Sequence, residues 1–217
     1  MLQKVLLVCG ILASLLYVAM NVVVAMQWEG YNSVSQTISE LSAIGAPTRP
    51  LWVLLGPFYT VLVIAFGWGV WTSARRNRPL RVVGGMLIAF GLIDIAWPFA
   101  PMHQREVLAA GGGTLTDTMH LALGFIDVFL MVLAIGFGAA AFGKRFRLYS
   151  IVTIVILLAF GALTGKDASL LEANLPTPWI GVWERISIAA FMLWDIVLAA
   201  VLLRIEGEHG HRWENEK

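Results

Sequence analysis

The sequence predicts an all-α, polytopic membrane protein with six transmembrane helices. Three observations support this: the composition, the spacing of the apolar runs, and the distribution of Lys and Arg among the loops. Of the 217 residues, 59% are hydrophobic and 13% are charged, and the mean hydropathy is +0.78. Soluble globular domains carry about 25% charged residues, so this composition excludes a soluble fold.

Six apolar segments are long enough to cross a membrane, which requires about 20 apolar residues for a helix. They are residues 5–26, 51–73, 80–100, 115–142, 148–165 and 181–204. The first run exceeds the roughly 7–15 apolar residues of a signal peptide, so we expect it to be retained as a helix. The segments form one transmembrane domain, 1–204, and a polar tail follows, 205–217.

Lys and Arg are unevenly divided between alternate loops. Eleven lie on the side that holds both termini, and four lie on the other side. Because cytoplasmic loops carry an excess of Lys and Arg, we expect both termini to be cytoplasmic and the protein to be integral to the cytoplasmic (inner) membrane. The longer loops, 27–50, 101–114 and 166–180, then face outward. A net charge of +1 gives no reason to expect a nucleic-acid partner.

The first outer loop has the pattern of a short amphipathic helix. Ser33, followed three residues later by Gln36, predicts a capping box, and a Gly-x-Pro stop signal follows. We therefore predict a helix over residues 33–44. It lies either in the membrane interface with its apolar side down or over the bundle as a lid. Ser35 and Ser39 accordingly face either water or a polar cavity.

Ionisable residues inside the predicted spans are costly, so each needs a reason. Four stand out: Asp94 in the third span, His120 and Asp127 in the fourth, and Asp195 in the sixth. At about 100° per residue, Asp117 shares a helix face with His120 and Asp127. All of these positions lie in the outer half or the centre of the bilayer, which predicts an outward-facing polar cavity lined by Asp94, Asp117 and His120.

Two of the acids have an alternative explanation. Asp127 and Asp195 lie deepest, and they either belong to the cavity or only form hydrogen bonds to neighbouring helices. Arg105, after the third span, and Arg185, at the start of the sixth, are candidates to bind an anionic headgroup. Glu184 is a further candidate ligand, although an acid in the first turn also suits the helix dipole.

A weaker pattern indicates a metal. His103, in the turn after the third span, joins His120 and Asp117 in a His/His/carboxylate set of the kind that binds zinc. Asp94 would then be the general base of a membrane-embedded hydrolase. The sequence has no compact motif such as H-E-x-x-H, so we expect no cofactor and keep zinc as the alternative.

Three segments carry a family resemblance: YNSVSQTISELSAIGAPTRPLW, a Pro-containing turn after the third span, and TDTMHLALGF at the head of the fourth. They resemble the bacterial membrane family catalogued as domain of unknown function 998, over nearly the whole chain. The resemblance implies the topology and a common outer polar site, but no reaction. Members often carry Phe-Pro-x-Asp where this chain has Trp97-Pro98-Phe99-Ala100. We therefore do not expect an acidic ligand shared with the family at this position. A looser similarity is to the six-span Frag1/DRAM/Sfk1-type proteins, some of which are linked to lipid handling.

These observations favour a membrane protein that binds a lipid-like or amphiphilic ligand in an outward-facing cavity, beneath the predicted loop helix. Membrane lipids are the expected partners, and a homo-oligomer is left open. The alternatives are the metal-dependent hydrolase and a structural or assembly partner without catalysis. The sequence does not decide whether the protein is an enzyme.

Overall fold

Seven α-helices make up most of residues 1–215, and six of them are long and apolar enough to cross a membrane. The computed structural model describes the backbone of residues 1–215 and the side chains of residues 1–171 and 173–208. The helices are α1 Leu2–Ala25, α2 Arg49–Ser73, α3 Arg78–Asp94, α4 Arg105–Ala109, α5 Leu115–Ala141, α6 Lys144–Glu172 and α7 Ile180–Asn215. The predicted all-α, six-span architecture is confirmed.

The six long helices form a closed ring in chain order. Each packs against its neighbours in sequence, and α7 returns to pack against α1. Buried aromatic and aliphatic side chains, among them Phe66, Phe191 and Trp194, fill the ring. We call the contact between α1 and α7 the seam. Within the ring, it joins the first and last long helices of the chain, whereas the other contacts join long helices that are consecutive in the sequence.

Close helix contacts in the ring occur at glycines. A Cβ on Gly84 of α3 would lie 2.5 Å from the backbone nitrogen of Trp71 in α2. A Cβ on Gly138 of α5 would meet the ring of Trp194 in α7. Small residues at such positions let membrane helices pack closely.

Three long helices differ clearly from the predicted boundaries. α6, Lys144–Glu172, extends beyond the predicted 148–165 at both ends, and α7, Ile180–Asn215, continues past the predicted 181–204 into the segment expected to be a polar tail. The third span is interrupted: α3 ends at Asp94 and is followed by a 3₁₀ helix, Trp97–Phe99. Pro98 lacks an N–H and its ring clashes with the carbonyl four residues earlier, so the α-helix cannot continue past this point.

The helix predicted over 33–44 is not formed as such; the segment contains a four-residue 3₁₀ helix, Ser39–Ser42, preceded by turns. The Asn32 backbone N–H donates to Oε1 of Gln36 at 2.8 Å, and the Val34 N–H donates to Oδ1 of Asn32 at 2.9 Å. These side-chain bonds close tight turns instead of starting a helix. Several carbonyls of the segment also accept bonds from side chains elsewhere in the chain.

Three segments lie at the end of the ring opposite to where α1 begins. They are residues 26–48, 95–114 and 173–179, and we call them together the loop cap. The loop cap connects the ends of the six long helices at this side, so it determines how this end of the bundle is closed.

We expect Gly84→Ala to lower the free energy of unfolding by about 1–3 kcal/mol, because the added methyl group forces α2 and α3 apart. Gly56→Ala is the matched control: Gly56 also lies inside a long helix, and a Cβ there meets nothing within 4 Å. Thermal unfolding in detergent measures the difference. Equal melting temperatures for the two variants would show that the α2–α3 contact does not require a glycine.

Candidate functional site

A buried carboxylate lies at the centre of the loop cap. Glu40 is 1% exposed, and its Oε2 accepts bonds from the backbone N–H of Thr37 at 2.7 Å and the Thr37 hydroxyl at 3.1 Å. Arg105 completes the set, with Nε 2.7 Å from Oε1 and Nη2 2.8 Å from Oε2. A buried charge must be paired, and a two-point arginine–carboxylate contact is among the strongest pairings.

Arg105 connects all three segments of the loop cap. Besides Glu40, its Nη2 donates to the carbonyl of Ser35 at 2.7 Å and its Nη1 to the hydroxyl of Thr177 at 3.4 Å. The hydrogen bond to Glu40 raises the pKa of the Arg105 guanidinium, and burial opposes this only in part. Arg105 therefore holds the three segments of the cap together, and its role as a headgroup ligand stays a prediction.

A second arginine ties the first loop to the start of α7. Nη1 of Arg185 donates to the carbonyls of Ser33 at 2.8 Å and Gln36 at 2.9 Å, and Nη2 donates to the Tyr31 hydroxyl at 2.6 Å. The Tyr31 hydroxyl in turn donates to the carbonyl of Thr37 at 2.7 Å. Burial raises the pKa of Tyr31 to about 12, although Arg185 opposes the shift. Tyr31 thus remains a donor at neutral pH.

The first turn of α7 docks directly on the same loop. Glu184 accepts the backbone N–H of Ile38, and its other oxygen lies 3.4 Å from the hydroxyl of Ser39. The N–H of Gly181, one of the unpaired donors at a helix start, donates to the carbonyl of Val34 at 3.0 Å. A Cβ on Gly181 would collide with two carbonyls of the loop, so glycine permits this contact.

Two of the predicted site residues, His120 and Asp127 of α5, form hydrogen bonds to the segment that follows α3. Nε1 of Trp97 donates to Oδ2 of Asp127 at 2.9 Å, and Nδ1 of His120 lies 3.0 Å from the carbonyl of Ala100. The rings of His120 and Trp97 meet edge to face at 4.7 Å. His120 and Asp127 are 9% and 7% exposed. Their bonds give both residues a structural explanation.

Three membrane acids retain an oxygen without a hydrogen-bond partner among the described residues. They are Asp94 (Oδ2), Asp127 (Oδ1) and Asp195 (Oδ1). Asp94 and Asp127 lie within electrostatic range of each other and of Tyr17 and Tyr59. Asp94 and Asp127 therefore lie near each other in the interior of the bundle.

The histidines and the acid of the predicted zinc set are engaged in other contacts. Asp117 accepts the His103 backbone N–H at 2.7 Å, lies 2.8 Å from its Nδ1, and caps α5 through Thr114. His120 bonds elsewhere, to Ala100. Among the side chains that the structure describes, no group of three or more His, Cys, Asp or Glu is placed to hold a metal ion. The three predicted ligands are not assembled into a site.

A groove of about 670 Å³ lies at the seam, directly below the loop cap. α1 contributes Tyr17 and Asn21, and α7 contributes Ile188 and Ala189. Most of its walls are apolar, and the loop end is formed by Trp28, Tyr31, Ser33 and Arg185. Of the candidate ligands predicted from the sequence, Arg185 is the one that lines this groove, so the residues of α1 were missed.

A family model described as "Protein of unknown function (DUF998)" matches residues 11–201. The chain belongs to this family. This match confirms the family resemblance seen in the sequence. The matched residues include the loop cap, the seam and the contacts of Arg105 and Arg185. No curated protein and no solved structure matches this chain.

In this DUF998 protein, we expect Arg105→Leu to lower the free energy of unfolding by about 3–5 kcal/mol, because it leaves the buried Glu40 charge unpaired. The amides of residues 33–46 should then exchange hydrogen for deuterium much faster. Arg204→Leu is the control: it breaks an exposed pair, with Glu208, and such pairs contribute about 0–1 kcal/mol. Equal exchange in the two variants would mean that other contacts hold the first loop.

Proposed function

We propose that this protein binds a lipid-like amphiphile in the groove at the seam, with the polar end of the ligand under the loop cap. The single observation that carries the proposal is the composition of the groove. Its walls along α1 and α7 are mostly apolar, and Tyr31, Ser33 and Arg185 bring hydroxyl and guanidinium groups to one end. An amphiphile has this same division into an apolar and a polar part.

The position of the groove supports the same ligand class. Both walls belong to helices that are apolar enough to span a membrane, so lipids are the molecules in contact with this surface. A volume of about 670 Å³ falls within the roughly 300–1,000 Å³ that is usual for small-molecule pockets. A groove of this size can hold one lipid-like molecule or part of one.

The loop cap supports a preorganised site. Arg185 and Tyr31 are held in place by each other and by carbonyls of the first loop. A ligand that meets groups already fixed in position loses less free energy to ordering them. The proposal therefore keeps the ligand class expected from the sequence and moves the site from Asp94, Asp117 and His120 to the seam.

The orientation is part of the proposal. The Lys/Arg distribution favours the loop cap on the outer side of the cytoplasmic membrane, so the polar end of the ligand would lie near the outer surface. Asp94 and Asp127 are not among the residues that line the groove. The metal-dependent hydrolase is not carried forward, because no observation of the described residues favours it.

We expect wild-type protein purified in mild detergent to retain a bound amphiphile, and Ala189→Trp to reduce the retained amount about tenfold. Ala189 is exposed and lines the groove, so an indole there fills the space without entering the core. Native mass spectrometry, with extraction and identification of the released molecules, measures the loss.

Ala200→Trp is the matched control, because Ala200 is an exposed alanine of the same helix outside the groove. At about 100° per residue it also lies on nearly the same face of α7. Equal retention in the two variants would contradict the proposal. A change of oligomeric state in Ala189→Trp, with no lipid in the wild type, would instead indicate that a second copy of the chain covers the groove.

A further inference from the structure

The end of the ring opposite to the loop cap is strongly basic. Seven exposed Arg and Lys side chains lie in or beside its two short connections, between α2 and α3 and between α5 and α6: Arg75, Arg76, Arg78, Arg81, Lys144, Arg145 and Arg147. We call these seven residues the basic patch. The surrounding stretches, 73–93 and 128–166, contain no Asp or Glu. Positive charge is thus concentrated here, although the net charge of the whole chain is only +1.

A hydrogen bond joins the two connections that form the patch. Nδ2 of Asn77, between α2 and α3, donates to the carbonyl of Ala141, the last residue of α5, at 3.0 Å. Oδ1 of Asn77 accepts the backbone N–H of Leu80 at 3.1 Å and so caps α3. α3 and α5 also pack against each other in the ring. Basic residues that are distant in sequence therefore belong to one surface.

The charges of the patch have no counterion among the side chains that the structure describes. None of the seven forms an ion pair there, and Arg81 and Arg147 donate to backbone carbonyls instead. Arg204, at the same end of the ring on α7, differs because it pairs with Glu208 at 3.1 Å. Arg and Lys are charged at neutral pH, so the patch attracts anions from its surroundings.

The position of the patch favours lipid headgroups as those anions. The four helices that carry it are apolar enough to span a membrane, so their ends lie at the level of the headgroups. The guanidinium of Arg81 lies 6.0 Å from the ring centre of Trp71, a residue that is 39% exposed, and Trp is typical of membrane interfaces. Leu148, directly after Arg147, is 65% exposed. A phosphate at the patch therefore has an apolar helix surface beside it for its chains.

We infer that the basic patch binds the phosphate groups of anionic phospholipids, independently of the groove at the other end of the ring. Arg binds phosphate through charge-assisted hydrogen bonds, and each basic residue near a membrane surface adds attraction to anionic lipids. The Lys/Arg bias that orients a membrane protein requires only a sufficient number of bases on one side. Their concentration on two joined connections without acids is what indicates a binding surface.

The test compares two lipids with identical dioleoyl chains on delipidated full-length protein in detergent: phosphatidylglycerol, which is anionic, and phosphatidylcholine, which is zwitterionic. Native mass spectrometry titrations give the apparent affinities. We expect phosphatidylglycerol to bind at least about tenfold more tightly, and the difference to shrink as the ionic strength rises. Equal affinities, or a difference that does not respond to salt, would overturn the inference.

The double variant Arg76→Gln, Arg145→Gln locates the site. It changes one exposed residue in each connection, and neither side chain forms a hydrogen bond or an ion pair with a described residue. The variant should reduce the preference for phosphatidylglycerol at least about fivefold. Lys4→Gln, Arg204→Gln is the matched control, because it removes two exposed charges from the same end of the ring outside the patch. An equal reduction in both variants would contradict a site at the patch.

Two further comparisons separate the patch from the groove and a lipid from a free phosphate ester. Ala189→Trp, which fills the groove, should leave the preference for phosphatidylglycerol unchanged, and loss of the preference would place it at the groove and overturn the inference. Glycerol 1-phosphate carries a phosphate without chains, so it should displace phosphatidylglycerol only at concentrations at least about tenfold higher than another anionic lipid requires. Equal potency would show that the patch does not select lipids.

Discussion

The buried ion pair between Glu40 and Arg105 is the contact on which the loop cap depends. Burying the Glu40 side chain without a hydrogen-bond partner would be costly, and Arg105 reaches it from another loop while also bonding to Ser35 and Thr177. One guanidinium thereby joins three segments that are distant in sequence. Without Arg105, this part of the first loop would be stabilised mainly by hydrogen bonds within the loop, and only a few residues form such bonds.

The fixed loop has consequences at the seam of the ring. The α1–α7 contact joins the first and last long helices, so no short connection holds it, and the first loop bridges it through Arg185 and Glu184. The groove lies directly below this bridge, between α1 and α7. The attached loop and the start of α7 form its polar end, and α1 and α7 form its mostly apolar walls.

The sequence was sufficient for the fold and insufficient for the site. Apolar length identified the six spans, because a membrane imposes that length on every spanning helix. The segment 33–44 was wrongly predicted as a helix, since its carbonyls are taken by arginines that no local pattern reveals. Glu40 lies within the first of the segments that carry the family resemblance, but its importance follows from the long-range contact with Arg105. The walls of the groove are formed by residues 17–25 and 185–192. These two stretches lie side by side because α7 returns to pack against α1.

The most direct test of the central claim is photo-crosslinking in membranes with a dioleoylglycerol analogue that carries a photoreactive group in one chain. Peptide mapping by mass spectrometry then locates the label. The account predicts that labelling concentrates on α1 and α7 around Tyr17 and Ala189 and is reduced by excess unlabelled lipid. Labelling spread evenly over lipid-facing positions, including α6, and unaffected by that excess would contradict a binding groove at the seam.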